Sequence, residues 1–80
     1  MIREKNITRY GQEQGYVFKG WRLCITRNGE RFVRYFSDLK SGGAENGLQY
    51  AIAMRDEMLA ELAAEGANCV EIFNRYRRRA

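Results

Sequence analysis

Four arginines lie close together in residues 20–38, whose sequence is GWRLCITRNGERFVRYFSD. A guanidinium group neutralises a phosphate and can donate two parallel hydrogen bonds to the edge of a guanine base. Closing a small hydrophobic core requires no such concentration of positive charge. The stretch therefore predicts a surface that binds a polyanion, provided that the arginines share a face that stays open.

The residue types needed for most other chemistry are missing from the sequence. It has no histidine, the commonest general base and metal ligand, and only two cysteines, Cys24 and Cys69. These cysteines form no Cys-x-x-Cys pair for zinc, and the sequence contains no glycine-rich phosphate-binding loop. We therefore expect neither an enzyme nor a metal site, and no cofactor or small-molecule substrate.

The start of the sequence and its cysteine content bear on location. The first ten residues, MIREKNITRY, are charged from the third residue onward and lack the apolar segment of a signal peptide. No apolar run approaches the roughly 20 residues that a membrane span requires. Two lone thiols fit a reducing compartment. We expect a cytoplasmic protein, associated with the nucleoid, that has no membrane partner.

The net charge of +4 is unevenly distributed along the chain. Residues 1–40 carry nine Lys or Arg and four Asp or Glu, a net charge of +5. Residues 41–66 carry one Arg and five acids, a net charge of −4. Residues 67–80 carry four Arg and one Glu, a net charge of +3. The folded domain is therefore expected to have a positive side, which attracts polyanions.

The arginine-rich stretch has the pattern of a β-hairpin. Asn28-Gly29 is typical of a two-residue type I′ turn, in which both central residues have positive φ. β-Branched and aromatic residues precede and follow this turn, and a shorter run of the same kind occurs earlier in the chain. The predicted strands cover residues 7–10, 16–27 and 30–37, with connections at 11–15 and 38–47.

Residues 48–65, LQYAIAMRDEMLAELAAE, predict an α-helix that ends before Gly66. The predicted fold class is α+β: a three-stranded antiparallel sheet packed on one C-terminal α-helix. This domain spans residues 1–66. Residues 67–80 form a short basic tail, which is either mobile in solvent or ordered on a phosphate backbone. The apolar residues of the tail also allow it to fold back as a strand or short helix.

The two-residue turn sets the register of the hairpin, because the residues that flank it face each other. One face is then apolar and meets the helix; it carries Trp21, Leu23, Ile25, Phe32 and Phe36, with Arg34 among them. The other face carries Arg22, Cys24, Thr26, Arg31, Val33 and Tyr35. No acid occurs in this second set, whereas a solvated sheet face is usually mixed in sign. The second face therefore favours nucleic acid, whose phosphates and base edges Arg, Thr and Tyr contact.

Two other arginines are predicted to have structural roles. Arg34 points towards the helix, where Asp56 or Glu57 is its expected partner. Arg55, within the helix, is expected to pair with an acid such as Asp38.

The order of these features resembles a known family. The matching features span roughly residues 6–62. They are the Trp21 strand, the Gly29 turn, the YFSD end of the third strand, the Gly-Gly before the helix and the A-x-x-x-R-D within it. Together they resemble the DNA-binding domain of the plant Apetala/ethylene-response-factor transcription factors. They are more similar still to the phage and bacterial relatives of that domain, which occur in integrases, in homing endonucleases and as small stand-alone proteins.

The resemblance implies that the sheet lies in the DNA major groove while the helix packs behind it. The residues of the second and third strands that match the family's DNA contacts lie on the face obtained from the hairpin register. The resemblance also implies that Arg9, on the first strand, contacts a phosphate. The DNA-binding residues predicted in all are Thr8, Arg9, Tyr10, Arg22, Cys24, Thr26, Arg27, Arg31, Val33 and Tyr35. The plant domains have Arg or Trp where this chain has Thr8, Thr26 and Val33, so a different recognition sequence is expected.

The predicted function is therefore double-stranded DNA binding by a small protein of a phage or mobile element. A regulatory role is compatible with this function. The alternative is a module that binds an acidic protein, or a second copy of itself, through the same face. Double-stranded RNA binding ranks lower, because domains of that class read shape through loops and helices rather than an open sheet.

Overall fold

The computed structural model describes residues 4–11, 15 and 17–79. Three strands form one antiparallel sheet in the order β1-β2-β3. They are β1 (Ile7–Tyr10), β2 (Gly20–Arg27) and β3 (Glu30–Ser37). The helices are α1 (Asp38–Ser41), α2 (Ala44–Leu62) and α3 (Cys69–Arg77). The predicted α+β class and three-stranded antiparallel sheet are confirmed.

The hairpin forms as its turn residues predict. Asn28 and Gly29 have φ values of 51° and 80°, the left-handed conformation that a type I′ turn needs at both central positions. Arg27 then lies opposite Glu30, and the pairing continues in register as far as Gly20 opposite Ser37. The predicted division of β2 and β3 into two faces follows from this register.

The second strand is shorter than predicted. It begins at Gly20 rather than at residue 16, which lies outside the described residues. Gly20 is already opposite Tyr10, the last residue of β1, so Val17, Phe18 and Lys19 have no partner in β1. Phe18 instead turns back over Gly20, where a Cβ atom would lie 2.5 Å from the Phe18 ring.

One hydrophobic core lies between the sheet and the two longer helices. The buried apolar residues are Ile7, Trp21, Leu23, Ile25, Phe32, Leu48, Ala51, Met58, Ile72, Phe73 and Tyr76. Every buried residue of β2 and β3 in this set belongs to the predicted apolar face. Phe36, the last member of that face, is only partly buried at the margin of the core.

The start of α2 depends on a close contact with Trp21. The helix begins at Ala44, four residues before the predicted start, and the Trp21 Nε1 donates a 2.7 Å hydrogen bond to the Ala44 carbonyl. The indole comes so close that a Cβ atom on Gly47 would lie 3.1 Å from the Trp21 ring. The helix ends at Leu62, short of the predicted residue 65.

The prediction of a single helix is corrected by α3. Asn68 caps this helix, because its side chain accepts a 3.1 Å hydrogen bond from the Glu71 amide. Phe73 is fully buried, and its ring centroid lies 5.8 Å from that of Phe32. Residues 69–77 of the predicted tail therefore pack on the same core as the sheet. The apolar residues of this segment have a helical spacing, but the neighbouring run of arginines led to the prediction of a basic tail.

Tyr76 fastens α3 to α2, and this contact predicts a loss of stability at high pH. Burial and the hydrogen bond that its hydroxyl donates to the Glu61 carboxylate raise the pKa of Tyr76 to about 12. In the unfolded chain the pKa is about 10, so stability should fall as the pH rises from about 10 towards 12. Tyr76→Phe removes this dependence. Denaturant titration measures the free energy of unfolding near pH 9 and near pH 11. The decrease between these two pH values should be larger for the parent than for the variant. Equal losses in both would contradict the assignment.

Candidate nucleic-acid interface

The sheet face opposite the core is called here the open face. The strand register assigns to it the side chains of Thr8, Tyr10, Arg22, Cys24, Thr26, Arg31, Val33 and Tyr35. Among these, Thr8, Thr26, Arg31 and Tyr35 are exposed and the rest are partly buried. The structure therefore brings eight of the ten predicted DNA-binding residues together on one face.

Positive charge on the open face comes from two arginines. Arg22 lies in the middle of the sheet, opposite Thr8 on one side and Tyr35 on the other. Arg31 lies near the hairpin turn, opposite Thr26. Neither guanidinium forms an ion pair within residues 4–11, 15 and 17–79. The open face carries no carboxylate among its eight side chains, so both charges remain available to an anionic ligand.

The end of the open face away from the turn is aromatic. The Tyr35 ring is 54% exposed and lies 6.2 Å from the Tyr10 ring, centroid to centroid. Phe18 packs edge-on against Tyr35 with the centroids 5.6 Å apart. Phe18 was not among the predicted site residues, because it precedes the residues that pair in the hairpin. Gly20 could have indicated it, since the missing side chain leaves room for this ring.

Arg9 lies on the other side of the sheet from the open face. It is opposite Trp21 in the register, and its guanidinium is 4.9 Å from the centroid of the Trp21 ring. Both terminal nitrogens donate 2.8 Å hydrogen bonds to the Asp38 carboxylate. This pairing holds the pKa of Asp38 below its usual value. Arg9 thus ties β1 to α1 rather than joining the predicted phosphate contacts.

Arg27 is also on the helix side of the sheet, at the hairpin turn. It is exposed, and its side chain donates a 3.2 Å hydrogen bond to the neighbouring Thr26 carbonyl. Its register partner is Glu30, a carboxylate that reduces the local positive charge. The structure therefore places Arg27 next to the open face but not on it.

Arg34 has different partners from those predicted. Its Nη1 donates hydrogen bonds to the carbonyls of Tyr76, at 3.2 Å, and Arg79, at 2.7 Å. These carbonyls lie at the C-terminal end of α3, where the helix dipole favours a cation. The prediction of Asp56 or Glu57 was wrong because it did not foresee the third helix.

Arg55 likewise pairs with a residue other than the one expected. Its Nη1 donates a 2.9 Å hydrogen bond to the Glu4 carboxylate and a second, of 3.0 Å, to the Lys5 carbonyl. Asp56, its neighbour in α2, completes the ion pairs. Asp38 is not available to Arg55, since Arg9 already binds both of its oxygens.

The arginines of α3 are used largely within the molecule. Arg75 pairs with Glu61 and keeps the pKa of that carboxyl low, while Arg79 pairs with Glu57 at 2.9 Å. Arg77 donates to the Arg31 carbonyl. The acidic part of α2 therefore neutralises much of the charge that the sequence concentrates near residue 80.

In the described ranges, no three His, Cys, Asp or Glu side chains come together as a metal would require. No described helix is long and apolar enough to cross a membrane. No family model, no curated protein and no solved structure matches the chain, so its function has to be inferred from the geometry of the site.

Proposed function

We propose that this protein binds double-stranded DNA by inserting the open face into the major groove. One observation carries the proposal: Arg22 and Arg31 lie on a face that no described helix covers and that bears no described carboxylate. The two positive charges attract phosphates, and no carboxylate on this face repels them. The resemblance to Apetala-type domains supports the same function.

The dimensions of the sheet suit a major groove. Three strands about 4.8 Å apart span roughly 10 Å, against a groove width of about 12 Å. Arg22 and Arg31 are separated by four residue steps along the hairpin and one strand, or about 14 Å. Most of this distance runs along the strands. Arg31, on the edge strand, lies beside one wall of the groove, and Arg22, on the central strand, reaches a phosphate or a base edge with its long side chain. Between them, Cys24 and Val33 are small enough to let the backbone approach the base edges.

The roles of the smaller side chains follow from their chemistry. Thr8 and Thr26 can donate to phosphate oxygens and can donate to or accept from base edges, and Val33 presents methyl groups to a thymine methyl. Among the described arginines, only Arg22 and Arg31 face the groove. Contacts of these two with phosphates leave few donors for guanine, so we expect phosphate attraction to supply most of the affinity and base discrimination to be modest. We assign the protein a regulatory or accessory role in a phage or mobile element, acting at the nucleoid in the cytoplasm.

The aromatic end of the open face favours a second candidate function. Tyr10, Phe18 and Tyr35 form a connected group of rings, and large aromatic side chains are the usual anchors of protein interfaces. In this alternative, an acidic protein or a second copy of the chain covers the same face.

Salt dependence distinguishes the two functions. Arg22, Arg31 and the nearby Arg27 would neutralise about three phosphates, so a plot of log affinity against log salt should have a slope of about −3. The arginines of α3 are expected to add little, because Glu57 and Glu61 already pair with two of them. Fluorescence anisotropy with a short labelled duplex measures this slope. The control is an RNA duplex of the same sequence, which should bind more weakly. Duplex DNA affinity that does not change with salt would favour the protein-interaction function.

A further inference from the structure

The outer edge of β3 offers unused backbone hydrogen-bonding groups. In a two-residue hairpin the pair flanking the turn is hydrogen-bonded, and the pairs then alternate. The N–H and C=O groups of Arg31, Val33 and Tyr35 therefore point away from β2. Arg77 donates to the Arg31 carbonyl, but nothing in the described part of the chain hydrogen-bonds to the outward groups of Val33 and Tyr35. This part of the edge is open to another strand.

Beside this edge lies a groove of about 550 Å³, bounded by β3, α1 and α2. Phe36 and Met54 supply apolar surface in the groove, and Ala53 leaves space on the α2 side. Tyr50 lines the same groove and is 57% exposed. A strand added to β3 would direct alternate side chains into this groove, because successive residues point to opposite faces.

The groove has a positive charge. Its charged lining residues are Arg34, Lys40, Glu57 and Arg79, which are three cations and one carboxylate. Glu57 and Arg79 pair with each other at 2.9 Å, so the excess charge comes from Arg34 and Lys40. Lys40 forms no ion pair within residues 4–11, 15 and 17–79. An occupant with a carboxylate is therefore favoured over a neutral or basic one.

We propose that the β3 edge and its groove bind an extended acidic segment of a partner protein, which pairs with β3 as a fourth strand. The segment carries an apolar and an acidic side chain two residues apart, so that both enter the groove. The apolar side chain contacts Phe36 and Met54, and the carboxylate meets Lys40 and Arg34. Backbone hydrogen bonds to Val33 and Tyr35 hold the segment in register. This site shares β3 with the proposed DNA surface but uses the backbone edge of the strand and the side of the sheet that faces α2.

Selection from a library of random hexapeptides tests the proposal, with the full chain as the target. We expect enrichment of peptides with an apolar and an acidic residue two positions apart. A synthetic peptide of the enriched sequence should shift the amide resonances of Val33, Tyr35 and residues 50–57. Lys40→Glu should weaken its binding at least tenfold. The matched control is Lys5→Glu, which makes the same charge change in the turn before β1, at the opposite edge of the sheet, and should leave the affinity unchanged.

A second variant tests the groove without changing its cations. Ala53→Glu places a carboxylate at the lining and should also lower peptide affinity at least tenfold, whereas Ala53→Lys should not lower it. The proposal is overturned by an absence of enriched peptides, by enrichment of basic ones, or by shifts confined to the open face. It is also overturned if sedimentation equilibrium shows a dimer that Ala53→Glu dissociates, or if duplex DNA alone shifts the amides of residues 50–57.

Discussion

Simultaneous replacement of Arg22 and Arg31 by alanine is expected to weaken duplex DNA binding by about 100-fold. Each neutralised phosphate contributes about 0.9 to the slope of log affinity against log salt, so two contacts account for nearly two powers of ten in affinity at about 0.1 M salt relative to about 1 M. Neither side chain forms an ion pair in the described part of the chain. The slope of log affinity against log salt should also decrease in magnitude by about 2, because two phosphate contacts are lost. Fluorescence anisotropy over a series of salt concentrations measures both effects.

The matched control for this variant removes two positive charges elsewhere. Lys5 and Arg78 are both exposed and lie outside the open face, so their joint replacement by alanine changes the net charge equally. We expect this control to alter affinity by less than about threefold, since distant exposed charges are screened within about 10 Å at 0.1 M salt. Equal losses in the two double variants would mean that net charge, rather than the open face, determines binding.

Phe73→Ala is expected to destabilise the protein by about 3–5 kcal/mol. The ring is fully buried between α3 and the sheet, where it contacts Phe32. For 80 residues the total free energy of unfolding is of the order of 4–12 kcal/mol, so this loss removes much of it. Thermal and denaturant unfolding measure the change. The effect would establish residues 69–77 as part of the folded core.

Val70→Ala provides the control in the same helix. Val70 is exposed, so its truncation leaves no buried cavity and should change stability by no more than about 0.5 kcal/mol. If Phe73→Ala unfolds at the same temperature and denaturant concentration as Val70→Ala, then α3 is not packed on the core. Arg34 would in that case have no carbonyl partners at the end of α3, and its assigned structural role would also be wrong.

The two proposed surfaces meet at β3 and use different parts of it. The open face takes the side chains of Arg31, Val33 and Tyr35, whereas the groove takes the backbone edge and the side chains directed towards α2. A partner segment bound at the edge would therefore leave Arg22 and the centre of the open face accessible. A fourth strand would, however, widen the sheet to about 14 Å, more than the groove width of about 12 Å, so a bound partner segment should weaken the proposed duplex binding.

The sequence alone determined the sheet and its two faces. Asn28-Gly29 specifies a turn whose geometry sets the pairing of β2 and β3, and alternation along each strand then assigns every side chain to a face. Both rules depend on residues that are close together in the chain. For this reason the order of residues along the hairpin is enough to group Arg22, Arg31 and the other side chains of its open face.

Only the tertiary structure decided the partners of the long cationic side chains. Arg34 reaches the Tyr76 carbonyl 42 residues away, and Arg55 reaches Glu4 across 51 residues. Several acids were compatible with each arginine, because a flexible guanidinium reaches any carboxylate or helix end that packing brings near it. Contacts between distant residues also determine the position of α3. Its arginines suggested a solvated tail, but the burial of Phe73 and the ion pairs with acids of α2 hold the helix on the core.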